Sequence, residues 1–443
     1  MSAATAPIPA SPLRRVIAAS LIGTTIEWYD FFLYGTAAAL VFNKVFFPKA
    51  DPLVGTMLAF GTYALGFAAR PVGGVVFGHF GDRIGRKRLL MLSLILMGVS
   101  TVAMGLLPTY GQIGPWAAVL LTLLRLVQGF AVGGEWGGAV LLVAEHSPAP
   151  RRAFWASWPQ AGVPIGNLLA AGVLAVMSAT QSGPEFLRWG WRVPFLLSAV
   201  LVAIGWWVRV SVRESPLFEA LEEERRRAAP ASEVVRTRPG GIAVGAGLRV
   251  GENICYYVIT TFSITYVTDV LHLKRSLALN AVLIGAALEA LSLPLFAALA
   301  DRIGRRPVYA VGAAGMAIWA FAFFRLLNQG AAWPTIIAIA VGLILHGAMY
   351  GPQAAFICEL FPTPLRYSGA SIAYQVTSIF AGSLAPIIAI ALFRHFGTAT
   401  PIAVYLALAC AVSFAAALIA RETRGQTFAQ IDARLEAQGR RLR

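Results

Sequence analysis

The sequence predicts an all-α integral membrane protein, with twelve transmembrane helices arranged as two pseudo-symmetric six-helix bundles. Three observations carry that prediction. The 443-residue chain is 58% hydrophobic and only 13% charged, with a mean hydropathy of +0.69, well outside the habit of soluble domains. Its apolar runs are long enough to cross ~30 Å of hydrocarbon at ~1.5 Å per residue. The pentapeptide DRIGR stands twice, at Asp82–Arg86 and Asp301–Arg305, about half a chain apart.

A short Pro/Ala-rich N-terminal tail, 1–15, precedes the first run. That run contains two carboxylates and no small-residue cleavage site, so it reads as a retained span and not as a cleaved signal peptide. The first bundle, 16–213, holds runs at about 16–42, 53–80, 88–108, 115–144, 153–179 and 191–213. Residues 214–240 form a long polar stretch of charge runs, Pro and Gly, read as a cytoplasmic linker. The second bundle, 241–421, holds runs at about 241–269, 277–300, 306–327, 333–359, 366–394 and 400–421. Residues 422–443 complete the chain as a C-terminal tail.

Sidedness follows from the basic residues. With the N-terminus inside, Arg14, Arg15, Arg83, Arg86, Lys87, Arg88, Arg151, Arg152, Arg302, Arg305, Arg306 and Arg366 fall at cytoplasmic ends, and fewer fall outside. Both termini are therefore expected in the cytoplasm. DRIGR then occupies the cytoplasmic turn between spans 2 and 3, and its copy the turn between spans 8 and 9. A second echo fixes the register: span 4 ends in AVLLVAEHSPAPRR and span 10 in QAAFICELFPTPLR. Glu145, Pro148 and Arg152 thus match Glu359, Pro362 and Arg366. Parallel repeats of this kind belong to alternating-access carriers, whose substrate sits between the bundles near the midplane.

Several function classes drop out. The net charge of +15 lies between apolar runs and includes only four lysines (Lys44, Lys49, Lys87, Lys274), so no basic stripe follows a phosphate backbone and nucleic acid is not an expected partner. Cys255, Cys358 and Cys410 lie far apart in apolar stretches, without metal-ligand spacing, and read as packing residues. No GxxxxGK[ST], HExxH or GxSxG motif is present, which argues against an ATP-driven pump and against a membrane-embedded enzyme. A non-transporting sensor of the same architecture stays open, but leaves carboxylates deep in the spans unexplained.

Five stretches resemble a known family: EWYDFFLYGTAAALVFNKVFFP from Glu27, RPVGGVVFGHFGDRIGRKR from Arg70, RLVQGFAVGGEWGGA from Arg125, WGWRVPF from Trp189 and ELFPTPLRYSGAS from Glu359. Through them the chain resembles the major facilitator superfamily along essentially its whole length. Within that superfamily it is similar to the metabolite:proton symporters, the carriers of shikimate, α-ketoglutarate, citrate and proline/betaine, and most similar to shikimate-type members in its first half. The resemblance implies a symporter in a bacterial-type inner membrane, working as a monomer without a cofactor, driven by protons and taking a small organic acid.

The duplicated charges are read first. Asp82 with Arg86, and Asp301 with Arg305, stand four apart, so each acid can face its guanidinium on a helical turn. Glu145, Arg152, Glu359 and Arg366 should lie beside them, enough for an Arg–carboxylate network. The resemblance implies a cytoplasmic gate. The alternative is a set of topology charges, although orientation has little use for acids.

Ionisable residues inside the spans come next, since each costs roughly 2.5–3.5 kcal/mol at a span centre. Arg125 is the expected carboxylate anchor, because the matching arginine of related carriers lies in the central cavity; the alternative is a structural pair with Glu135 or Asp30. Asp30, Glu135 and Glu27 are the proton-coupling candidates, with His79 and Glu289 as further ones. Substrate contacts are expected from Arg125, Gln128, Trp28, Tyr34 and Arg70. In the second half, Arg249, Glu252, Asn253 and Tyr256 make one polar stripe at i, i+3, i+4 and i+7. His346, Tyr350 and Gln353 make another, and Tyr374 and Gln375 lie inside span 11. Any of these could instead be inter-helix glue. A cluster of Glu27, Asp30, Glu135 and Glu252 beside aromatics could also hold a zwitterion such as a betaine, though the tail is too short for the heptad-rich extension of the family's osmosensors.

Overall fold

The computed structural model describes residues 12–49, 52–211 and 230–441; most of the expected linker and of the N-terminal tail lies outside them. Every regular element among the described residues is helical. In chain order the long helices are α1 Leu13–Ala37, α2 Pro52–Ile84, α3 Arg86–Leu106, α4 Trp116–His146, α5 Arg152–Thr180, α6 Arg192–Val210, α7 Pro239–Tyr257, α8 Arg275–Ile303, α9 Arg305–Leu327, α10 Ala332–Cys358, α11 Arg366–Ser378 and α12 Thr400–Ile419. Three of them continue past a π-helical turn: α1 through Ala38–Phe42, α7 through Val258–Phe262 and Tyr266–Val270, and α11 through Ile379–Ser383 to Phe396. A further helix, α13 Phe428–Arg441, ends the described chain.

Among the described residues, nine of these helices are by themselves long and apolar enough to cross a membrane. α2, α5 and α7 carry the polar positions Arg70, Gln160 and the Arg249–Glu252–Asn253 stripe. α2 and α5 each pack against helices of their own half and of the other, so Arg70 and Gln160 can face protein instead of lipid. The outer surfaces elsewhere are apolar, with Val99, Leu295, Val311, Ile318 and Ile419 all exposed, as a lipid-facing wall requires.

Packing repeats with the sequence. In the first half α2 lies on α4, α3 on α4 and α6, and α1 on α5 and α6; in the second, α8 lies on α10, α9 on α10 and α12, and α7 on α11 and α12. The second set is the first shifted by six helices. Between halves, α5 packs on α8 and α10, and α11 packs on α2 and α4. Close approach of α2 and α4 depends on glycine: a Cβ at Gly129 would stand 1.9 Å from the Gly66 carbonyl oxygen, and one at Gly73 equally near that of Phe130.

One expectation needs correcting. DRIGR is not a single helical turn, because Gly85 (φ 109°) and Gly304 (φ 116°) break it, ending one helix and starting the next in a conformation that favours glycine. The i, i+4 partners therefore sit on different helices. In the second copy Arg305 still reaches Asp301, at 3.1 Å across the break.

Candidate functional site

Four groups of polar side chains lie between or within the two bundles. The first is an arginine pair among aromatic rings. The Arg125 guanidinium, from the first third of α4, lies 4.3, 4.4 and 4.5 Å from the ring centres of Phe31, Tyr34 and Tyr63. It donates to Gln128 Oε1 at 2.8 Å, and Gln128 in turn donates to Thr101 at 2.6 Å. The Arg70 guanidinium lies 4.3 Å from the centres of both Phe31 and Phe67 and 5.3 Å from that of Trp28. Both arginines are fully buried, yet Nε and Nη2 of each find no hydrogen-bond partner. Tyr34 is tied to Thr62 at 2.5 Å.

The second group surrounds Arg209, near the end of α6. It donates to Glu135 at 2.6 Å and to Glu27 at 3.4 Å. Ser93 stands 3.3 Å from each carboxylate, and Thr24 donates to Glu135 at 3.2 Å. Two acids thus share one guanidinium, with Glu27 Oε2 unpartnered. A small cavity lined by Ser20, Leu90 and Arg209 continues to Lys87, at the face where the DRIGR turns lie. Asp30 stands apart: Ser198 spans its two oxygens at 2.7 and 2.9 Å.

The third group is in the second half. Arg249 pairs with Glu252. His346 places Nε2 2.8 Å from Glu252 and Nδ1 2.6 Å from Glu289. Gln353 donates to Glu252 at 3.3 Å, and Tyr350 meets Tyr374 at 3.3 Å. Arg249 lies 3.7 Å from the centre of the Tyr374 ring. Across the bundle boundary Trp136 stacks on that ring, centre to centre 3.7 Å, and is held by Gln160, which also donates to the Tyr350 carbonyl.

The fourth group closes the DRIGR face, and it is wired across the halves. Arg152 of α5 pairs with Glu359 after α10 at 2.7 Å, and Arg366 of α11 pairs with Glu145 of α4 at 3.4 Å. Asp301 accepts the backbone N–H groups of Ala153 and Phe154 at 3.1 and 2.8 Å, capping α5 of the opposite half. Arg305 also reaches Glu359, at 3.3 Å. The C-terminal segment then seals the cluster. The Phe428 ring lies 3.8 Å from both the Arg152 and the Arg366 guanidinium, and Asp432 pairs with Arg366 at 3.0 Å. Glu422 accepts the N–H groups of Arg305 and Arg306.

Comparison with known proteins decides the family. A sequence profile of the Major Facilitator Superfamily matches residues 20–386, and the chain is 42% identical over 419 residues to the shikimate transporter of Escherichia coli strain K12, covering 94% of this chain and 96% of that one. The chain belongs to the major facilitator superfamily, in its metabolite:H+ symporter family. It is a transmembrane transporter and not an enzyme. It is also 35% identical over 424 residues to a glycine betaine/proline/ectoine/pipecolic acid transporter of Dickeya dadantii, covering 93% of this chain and 84% of that one. In fold it is similar to the proton:xylose symporter bound to 6-bromo-6-deoxy-D-glucose, with a TM-score of 0.78 at 17% identity, covering 96% of this chain and 99% of that one.

Within this facilitator fold, the expected site residues divide. Arg125 meets Gln128 but neither Glu135 nor Asp30, so neither structural pair forms. Glu27 and Asp30, three apart on α1, part company: one joins Arg209 and the other Ser198. His79, half-buried near the end of α2 against Phe80, joins none of the four groups. Gln375 donates to the Gly133 carbonyl at 3.0 Å, which makes it glue between the halves. Asn253 Oδ1 and the Tyr256 hydroxyl are buried without a partner. The side chains of Asp82 and Arg86 lie outside the described residues.

Sequence reasoning missed Arg209, Ser198, Phe428 and Asp432. Arg209 sits between Val208 and Val210 in the last turn of a span, where basic residues ordinarily mark topology. The surplus of acids over bases inside spans 1 and 4 is the signal that asked for it. Phe428, Ile431 and Leu435 recur at i, i+3 and i+7, an amphipathic helix signature in what reads as a tail.

Proposed function

We propose that this transporter is a proton-coupled symporter that imports a small carboxylated metabolite by alternating access. One observation carries the reading: Arg70 and Arg125 bury two cations with free N–H groups, each 4.3 Å from the centre of the Phe31 ring, and no acid among the described residues pairs with either. Buried charge needs a partner, and a fork of guanidinium N–H groups suits a carboxylate. The acids nearby are engaged: Glu27 and Glu135 by Arg209, Glu252 by Arg249, and Asp30 by the Ser198 hydroxyl across both its oxygens. That distribution favours an anion over a betaine, whose quaternary ammonium would want an unclaimed acid.

The DRIGR face is assigned to the cytoplasm of a bacterial inner membrane, with both termini on that side, which the positive-inside count supports. There Glu145, Arg152, Asp301, Arg305, Glu359 and Arg366 act as the gate, closed in this structure. Asp30, Glu135 and Glu27 are the proton-coupling carboxylates of the first half. The division into bundles 16–213 and 241–421 supplies the two rocking bodies.

The test is proton uptake in proteoliposomes with a lumenal pH dye, adding shikimate, α-ketoglutarate, citrate and glycine betaine in turn. Acidification on adding an organic acid, absent in protein-free vesicles, is the expected result. Acidification with glycine betaine alone would overturn the substrate class, and uptake without acidification would overturn proton coupling.

A further inference from the structure

His346 has carboxylate oxygens at hydrogen-bond distance from both ring nitrogens, Glu252 at Nε2 and Glu289 at Nδ1. A neutral imidazole carries one N–H, so it can satisfy one of two ionised carboxylates and must turn a lone pair on the other. The geometry therefore holds one proton more than a neutral histidine between two ionised acids. All three side chains are buried in the middle of α7, α8 and α10.

We propose that His346, Glu252 and Glu289 form a second proton-binding centre, in the half opposite Asp30 and Glu135, and that Arg249 links its proton to the substrate carboxylate. The proposal rests on the symport reading for its second clause only. With the proton present, Arg249 and His346 carry two positive charges against two carboxylates, and the cluster is neutral. Arg249 also borders the space between halves, where its guanidinium covers Tyr374 beneath Trp136. A substrate carboxylate arriving there competes with Glu252 for Arg249. Glu252 then keeps His346 as its one cationic partner, beside the neutral Gln353 amide, so loss of the proton becomes costlier once substrate is bound. Release of substrate restores the Arg249–Glu252 pair and loosens the proton. Proton and substrate therefore bind together and leave together.

The surroundings permit this. The groups facing His346 are Glu252 and Tyr256 from α7, Glu289 from α8 and Tyr350 from its own helix, whose ring centre lies 5.2 Å away, and Arg249 pairs with Glu252. Tyr309 of α9 turns its hydroxyl to the Leu248 carbonyl, and α5 carries no titratable side chain beyond Arg152.

Two measurements test it. Full-length protein labelled with 15N-histidine, in detergent, is read by NMR through the imidazole nitrogens at pH 8, where a free histidine (ordinarily ~6.5) is neutral. Of five histidines, one is expected to carry N–H on both nitrogens, and its signal should vanish in His346→Gln. A singly protonated His346 with both glutamates ionised overturns the proton centre whatever the substrate. In proteoliposomes, with shikimate as the probe, His346→Gln should lose accumulation driven by a pH gradient, its in/out ratio falling to about 1, while counterflow stays measurable above that of protein-free vesicles. Accumulation equal to wild type overturns the coupling role. Absence of counterflow in wild type would instead refute shikimate as substrate and leave the NMR result to decide the centre.

Discussion

Glu359→Gln should open the DRIGR face. Glu359 holds three partners: Arg152 at 2.7 Å, Arg305 at 3.3 Å and the Thr423 hydroxyl. Arg305 and Thr423 belong to its own half, so those contacts survive opening and their loss weighs on both states equally. The Arg152 link crosses between halves and exists only while the face is closed. A charge-assisted hydrogen bond of this sort contributes ~1.5–3 kcal/mol, and ~1.4 kcal/mol is tenfold in an equilibrium. The closed-to-open ratio should therefore fall roughly 10- to 100-fold, since those two values bracket about one to two powers of ten. The chain carries its own reporter. Cys358 is buried, and its thiol faces Arg366, Glu145, Glu359 and Arg152. Its rate of alkylation by a maleimide, mapped by mass spectrometry, should rise by the same factor. Arg152→Gln removes the same link but has the opposite effect on thiolate formation, since a nearby cation favours the thiolate and a nearby anion disfavours it. Acceleration in both variants means opening. If labelling speeds up in Glu359→Gln and slows in Arg152→Gln, the field at the sulfur has changed and not the gate, and the reasoning is refuted.

Glu135→Gln should destabilise the protein more than Glu27→Gln, because Arg209 lies 2.6 Å from the former and 3.4 Å from the latter; stranding a buried cation costs ~3–5 kcal/mol, and equal thermal shifts would contradict the ranking. Arg125→Lys keeps the charge but loses the planar fork, so shikimate counterflow should fall at least tenfold with the melting temperature held within a few degrees; unchanged half-saturation would remove Arg125 as an anchor. Gly129→Ala forces a methyl into the α2 backbone, and overpacking of this kind costs ~1–3 kcal/mol or more, visible as a lowered melting temperature. Asp432→Asn weakens the tie between α13 and Arg366, at 3.0 Å; it should accelerate Cys358 labelling less than Glu359→Gln does, since other C-terminal contacts remain.

Most of the architecture was legible because lipid imposes it. Length and hydropathy place the spans to within a few residues, and the repeat sets their register. The charged cluster at the DRIGR face was legible as equivalent positions, Glu145 with Glu359 and Arg152 with Arg366. Their wiring was not: a repeat says which positions correspond, whereas partnership is decided by which helices meet across the boundary, and here each acid meets the arginine of the other half. Inside the spans the limit was similar. Glu27 and Asp30 differ by only ~60° around a helix with 3.6 residues per turn, yet that angle is enough to hand one to Arg209 and the other to Ser198. His346 was visible as part of a polar stripe. That both its nitrogens are claimed depends on α7 and α8 arriving from opposite sides, which no local pattern records.

The π-helical turns of α1 and α7, at 38–42 and 258–262, stand at equivalent places in the two halves, both on the stretch leading away from the DRIGR face. A π turn trades the close-fitting hydrogen bonds of an α-helix for a wider ring and is a common place for a helix to bend. The two mouths of the carrier are therefore mechanically unlike. On one side, motion must shear a web of ion pairs and lift a terminal helix, so it proceeds as a single event with a threshold. On the other, the outer ends of two related helices can flex at a built-in weak point while the rest of each bundle stays still, so access there can be graded.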